Sequence, residues 1–170
     1  MIKIFIILLL LVIAIEDFRW RKIRVIWFPL VFLMILFWIN HKNAFDFHEA
    51  VINMILFFSE VIITILILST RDKEKPAKSF RRYIGLADLL VFLPACIMFS
   101  TVNFVLFFLS TLFCSLLLYG IFMTVGKNRF GYRIPLAGFA GVSLAILFII
   151  DYFYPVNLHD DIIHLANIYL

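Results

Sequence analysis

Residues Val102–Val125 read VNFVLFFLSTLFCSLLLYGIFMTV, and no charged side chain interrupts them. A helix climbs about 1.5 Å per residue, so this run exceeds the roughly 20 residues needed to cross a bilayer core. Hydrocarbon offers no partner to an open backbone amide or carbonyl, which leaves helix as the conformation for such a run. A membrane barrel would instead alternate apolar and polar residues over segments of about 10, a pattern this chain lacks. Five further blocks of the same kind flank it: Ile2–Ile15, Val25–Ile39, Val51–Ser69, Ile84–Phe99 and Ile134–Phe153. The 170 residues are 65% hydrophobic and 15% charged, with a mean hydropathy of +1.08. Water-soluble domains carry about 45–50% and about 25% respectively. The expected fold is all-α, a polytopic membrane protein of six transmembrane helices. Residues 1–170 form one membrane-embedded domain, without repeats or low-complexity tracts.

The connections set an orientation. The first holds Arg19, Arg21, Lys22 and Arg24. The third holds Arg71, Lys73, Lys75, Lys78, Arg81 and Arg82, and the fifth Lys127, Arg129 and Arg133. The second mixes charges, the fourth has none, and the tail beyond Phe153 has acids but no Lys or Arg. Lys and Arg stay on the cytoplasmic side of a membrane, so the odd-numbered loops are expected there and both termini outside. Lys3 with Ile4–Ile15 resembles a secretory leader, but no small-residue cleavage site follows and a basic cluster does; a retained first span is expected. The net charge of +4 arises from these loops, and nucleic acid is not an expected partner. Cys96 and Cys114 lie in apolar blocks without metal-ligand spacing and read as packing residues. His41, His48, His159 and His164 fall in the outer loop and tail and read as solvated. No metal and no cofactor is expected. Pro29 and Pro94 fall inside the second and fourth blocks, where a kink is tolerated if neighbouring helices serve the freed carbonyls. Pro135 opens the sixth.

Ionisable groups at membrane depth are costly, so each needs a reason. Asp17 closes the first block at its cytoplasmic edge. Asp88 lies about one helical turn below the same surface. Two carboxyls at matching depth suit hydrolysis of a peptide bond. One takes a proton from water while the other, protonated, donates to the carbonyl oxygen, and proximity keeps both from ionising together. The structural alternatives are an interfacial Asp17 paired with Arg19 or Arg21, and an Asp88 reached by Arg81 or Arg82. Glu60, near the middle of the third block, is either a third functional carboxyl or proton relay, or a neutral group bonded within the bundle, for instance to Thr64. Asn53 on the same helix extends a polar seam.

Tyr83-Ile84-Gly85-Leu86-Ala87-Asp88-Leu89 resembles the Gly-x-Gly-Asp motif of intramembrane aspartyl proteases. Asp17-Phe18-Arg19-Trp20-Arg21-Lys22-Ile23 resembles the other signature of the type IV prepilin peptidases, in which an Asp ends a helix and an Arg often follows two residues on. Arg133-Ile134-Pro135-Leu136-Ala137-Gly138-Phe139 resembles the motif that opens the last helix in that family. The three occur in family order and span essentially the whole chain. Three positions depart from the pattern: Ala87 stands for the second Gly, Arg24 for the Pro after Ile23, and Leu90 for a Lys two residues past the second Asp. Ala is still small enough for close helix approach.

The resemblance implies an aspartic endopeptidase that cuts the short basic leader from prepilin-like membrane substrates at the cytoplasmic face of a bacterial inner membrane. Such proteins serve type IV pilus assembly and protein secretion. It implies Asp17 and Asp88 as the catalytic pair, with Gly85, Ala87 and Arg19 in support; Glu60 is a supporting candidate on its position alone. Larger relatives add a cytoplasmic segment with Cys-x-x-Cys pairs linked to methylation; none is seen here, so a peptidase-only core is expected. The competing expectation is a non-catalytic membrane scaffold or a small transporter that uses Asp88 and Glu60 for ions or helix pairing.

Overall fold

A computed structural model describes residues 2–20, 23–42, 45–73, 75, 76, 78, 85–124 and 136–153. Among these residues run six helices and no strand: α1 (Ile2–Trp20), α2 (Trp27–His41), α3 (Phe47–Asp72), α4 (Leu86–Met98), α5 (Thr101–Thr124) and α6 (Leu136–Phe153). One helix falls in each expected block. Three are long and apolar enough to cross a membrane: α3, the Thr101–Leu118 part of α5, and α6. α2 and α4 are shorter apolar helices. α1 is a 19-residue helix whose charges, Lys3, Glu16, Asp17 and Arg19, cluster at its two ends. Large apolar side chains cover the outside, among them Phe37, Ile63, Leu109 and Phe113. An apolar surface on that scale is what a lipid environment accommodates and water does not. Arg21, Lys22, Arg81, Arg82, Lys127, Arg129, Arg133, Pro135, His159, His164 and the tail lie outside the described residues.

The spine is the antiparallel pair α1 and α6. Ala137, Gly138, Ala140, Gly141, Leu144, Ala145 and Phe148 line the buried face of α6 at helical spacing. They meet Ile6, Leu10, Ile13 and Ala14 of α1. Small residues bring the backbones close: a Cβ placed on Gly141 would lie 3.2 Å from the Leu10 carbonyl oxygen. α4 is the central helix. Val91, Phe92 and Pro94–Met98 are all buried against α2, α3 and α6. A ring cluster of Phe57, Phe92, Phe107 and Phe108 joins α3, α4 and α5, with centroids 5.2–6.1 Å apart.

Polar groups finish the ends. Asp46 accepts from the amides of His48 and Glu49 and so caps α3. Ser100 separates α4 from α5, and its hydroxyl accepts from the Asn103 amide. Asn53, fully buried, donates through Nδ2 to the carbonyls of Cys96 at 3.0 Å and Phe99 at 2.9 Å. The last carbonyls of a helix have no partner of their own, so the expected polar seam on α3 turns out to be the device that ends α4. Asn53→Leu strands both carbonyls in an apolar setting. It is expected to cost about 1–3 kcal/mol, read as a lower unfolding midpoint of the detergent-solubilised protein; an unchanged midpoint would remove this role. Pro94 does lie inside α4. Pro29 is instead in the first turn of α2, where its missing N–H breaks no helical bond.

At the end of the bundle that holds Met98 and the Ile2 turn of α1, Asp151 of α6 is completely buried. Lys3 Nζ lies 2.8 Å from one of its carboxylate oxygens and donates to its backbone carbonyl at 2.7 Å. Lys42 Nζ reaches the other oxygen at 3.5 Å. Both ammonium groups sit by the Trp38 ring, at 6.0 Å and 4.8 Å from its centroid. This cluster ties α1, α2 and α6 together.

Candidate active site

The other end of the spine carries the two aspartates. Asp17, in the last turn of α1, accepts from the Gly138 amide at 2.6 Å through Oδ2. Asp88, in the first turn of α4, accepts from the Ala137 amide at 2.9 Å through Oδ1. Those amides belong to neighbouring residues in the first turn of α6, where a helix presents free N–H groups and the positive end of its dipole. The two bonds and the single residue of backbone between them leave the nearest oxygens no more than about 9 Å apart. Both carboxylates are half-buried. The two carboxylates, one from α1 and one from α4, thus come together on the tip of α6.

Each aspartate is held on its own side as well. Asp88 Oδ2 accepts from the Gly85 amide at 3.2 Å, so the Asp88 side chain reaches back to the residue that opens α4. A Cβ on Gly85 would stand 2.9 Å from that same oxygen, so a side chain here would push the Asp88 carboxylate out of place. Ala87 packs against the core with its methyl group accommodated, and Leu90 does the same where a Lys was expected. Beside Asp17, a Cβ on Gly138 would lie 3.1 Å from Oδ2 and 3.2 Å from Phe18 Cζ, and Phe18 meets Phe139 edge-on at 5.0 Å. The guanidinium of Arg19 lies over the Trp20 ring at 5.2 Å, on the exposed side of the helix end.

Glu16 had no assigned role in the sequence. It is buried and accepts the Arg24 amide at 2.9 Å, with Arg24 Nε 3.7 Å away. This bond turns the chain from α1 into α2. A Pro at position 24 has no N–H to give, so Arg24 and Glu16 form a local alternative to the expected Pro.

Glu60 is exposed rather than bonded inside the bundle. Its helix buries a stripe at Ala50, Asn53 and Phe57, and residues 60, 61 and 64 continue that stripe. α4 begins after Gly85, so among the described residues α4 does not extend over the continuation. The result is a cleft of about 190 Å³ lined by Phe57, Glu60, Thr64, Asp88, Phe92 and Phe108, together with further apolar side chains. Asp88 therefore faces both the tip of α6 and this cleft. Among the described residues no group of three or more His, Cys, Asp and Glu side chains is arranged to hold a metal ion. Comparison with family models, with curated proteins and with solved structures returned no match.

Proposed function

We propose that the chain is an intramembrane aspartyl endopeptidase that removes the short leader of prepilin-like membrane proteins. The observation that carries this reading is the convergence of Asp17 and Asp88 on the adjacent amides of Ala137 and Gly138. In this mechanism one carboxylate takes a proton from water, and the resulting hydroxide adds to the scissile carbonyl carbon. The partner, protonated, donates to the carbonyl oxygen. The C–N bond then breaks, and the leaving amine takes up a proton from the dyad. The tip of α6 fixes both carboxyls before substrate arrives, and such positioning supplies much of an enzyme's advantage.

The same reading sets all six helices across a bacterial inner membrane, both termini outside, with the dyad near the cytoplasmic face. From Lys3 to Asp17 α1 climbs about 21 Å. With the Lys3–Lys42–Asp151 cluster at the outer boundary of a core about 30 Å thick, the dyad lies about 9 Å inside the cytoplasmic boundary, where water can enter. The substrate's apolar helix stays in lipid while its leader reaches the site from the cytoplasm.

A second reading has an observation of its own: the bond that Asp88 accepts from the Gly85 amide at the start of α4 makes this carboxylate a structural group too. A scaffold would need no more than that. Incubating the full chain in vesicles with prepilin-like substrates, and weighing the products, separates the two. The peptidase yields a leader and a helix-bearing product cut at their junction, whereas intact substrate across a range of leaders favours the scaffold. Gly138→Ala gives a finer test, because the methyl group pushes α1 away by a few tenths of an ångström at Asp17 itself. Cleavage is expected to fall roughly tenfold or more. Gly120→Ala, with nothing within 4 Å of the new Cβ, is expected to cut at the wild-type rate. Equal rates for the two variants would separate the α1–α6 contact from activity.

A further inference from the structure

We infer that Glu60 is the specificity-determining residue of this site, and that it pairs with a Lys or Arg side chain of the segment being cut. The inference rests on the peptidase reading. It starts from a physical mismatch: an ionisable group in the middle of α3 stands exposed on an otherwise uncharged stretch. Such a group is costly in a membrane without a partner, and among the described residues no Lys or Arg lines the cleft that it faces.

The register of α3 against α4 fixes its level. Asn53 bonds the carbonyls of Cys96 and Phe99, and the Phe57 ring lies 5.5 Å from that of Phe92. Continuing antiparallel, Glu60 comes level with Asp88, and both line the one cleft. The cleft of about 190 Å³ is smaller than the roughly 300–1,000 Å³ sites that enclose a whole small ligand. It suits one side chain. Phe57, Phe92 and Phe108 form its aromatic wall, which packs the methylene stem of a Lys or Arg and attracts its charged head. Asp88 is engaged in the dyad on the tip of α6, whereas Glu60 is exposed in the cleft and placed to meet the cation. An extended peptide advances about 3.3 Å per residue. A cation at the level of the dyad therefore comes from within about two or three residues of the cut bond.

The test uses full-length protein in vesicles and three prepilin-like substrates that differ at one leader residue beside the cut: Lys, Gln or Glu. Wild type is expected to prefer Lys over Gln in kcat/KM. Glu60→Gln is expected to lower that preference roughly 10- to 100-fold, mainly through KM, and Glu60→Lys to shift it towards the Glu substrate. A merely structural Glu60 would lower all three substrates alike and leave the preference unchanged, which overturns the inference while the peptidase reading stands. Binding of the fluorescent Lys substrate to the same vesicles is read in parallel. Glu60-dependent binding without any cleavage would keep the cation site and sink the peptidase. Binding that ignores both the leader charge and Glu60 overturns the inference whether or not cleavage occurs.

Discussion

Asp17→Asn and Asp88→Asn should each abolish leader cleavage, by about a thousandfold or more, while the protein stays folded in the membrane. The size follows from interdependence: when two groups act as one unit, losing either removes most of what both provide. The persistence of the fold follows from what each carboxylate does besides chemistry. Asp17 and Asp88 accept from the amides of Gly138 and Ala137, and an Asn carbonyl can accept the same bond. Asp17→Asn thus keeps its cap. Asp88→Asn has one acceptor oxygen for two amides, Ala137 and Gly85, and forfeits one of them at a cost of about 0.5–2 kcal/mol. Unfolding midpoints measured beside cleavage rates check the separation. A scaffold would show the same small changes in midpoint with no activity to lose. An Asp17→Asn protein that cuts at the wild-type rate would contradict the dyad directly.

The second large effect lies at the far end of the spine. Lys3→Met should destabilise the bundle by about 3–5 kcal/mol, as removal of one partner from a buried ion pair does. Asp151 has no exposed surface, while the Lys3 side chain is 20% exposed. The group that loses its closest cation is therefore the buried carboxylate, with Lys42 farther off at 3.5 Å. Lys42→Met should cost less, because its contact is longer and its side chain 34% exposed. Replacing the pair together, Lys3→Met with Asp151→Leu, should recover much of the loss, since a well-packed apolar pair often matches a buried ion pair. Denaturation midpoints in detergent read all three. If Lys3→Met and Lys42→Met were equally mild, the cluster would hold nothing together.

The helices were legible because the blocks are long and the polar breaks between them sharp: Val102–Val125 leaves no other conformation open. The aspartates were legible as costs, since a carboxyl at the end of an apolar block has to be explained. Their meeting point was not. Gly138 and Ala137 contribute backbone amides, which carry no side-chain signature, and they reach Asp17 and Asp88 only through the tertiary register of α6 against α1 and α4. Asp151 was hidden for a related reason. It sits in a block apolar enough to read as span throughout, and Lys3 read as a flank because its partner lies 148 positions away. Glu60 shows the limit of hydropathy. The stripe through Ala50, Asn53, Phe57 and Glu60 can be read from the sequence, but where α4 begins, at Gly85, decides that its last member lines a cleft with Asp88. Pro29 moved from mid-span to a first turn because α2 starts at Trp27, a boundary that composition alone does not mark. Arg24 read as a departure, and became a hydrogen-bond donor once Glu16 was seen beside it.

That Asp17 and Asp88 form one catalytic unit on the tip of α6 is tested most directly by cleavage rates of the wild type, the two single Asn variants and the double variant, in the same vesicles with the same prepilin-like substrate. The double variant is expected to be no slower than the slower single one, because the first substitution has already disabled the pair. Losses that multiply in the double variant would mean two independent contributions, and would contradict a shared site.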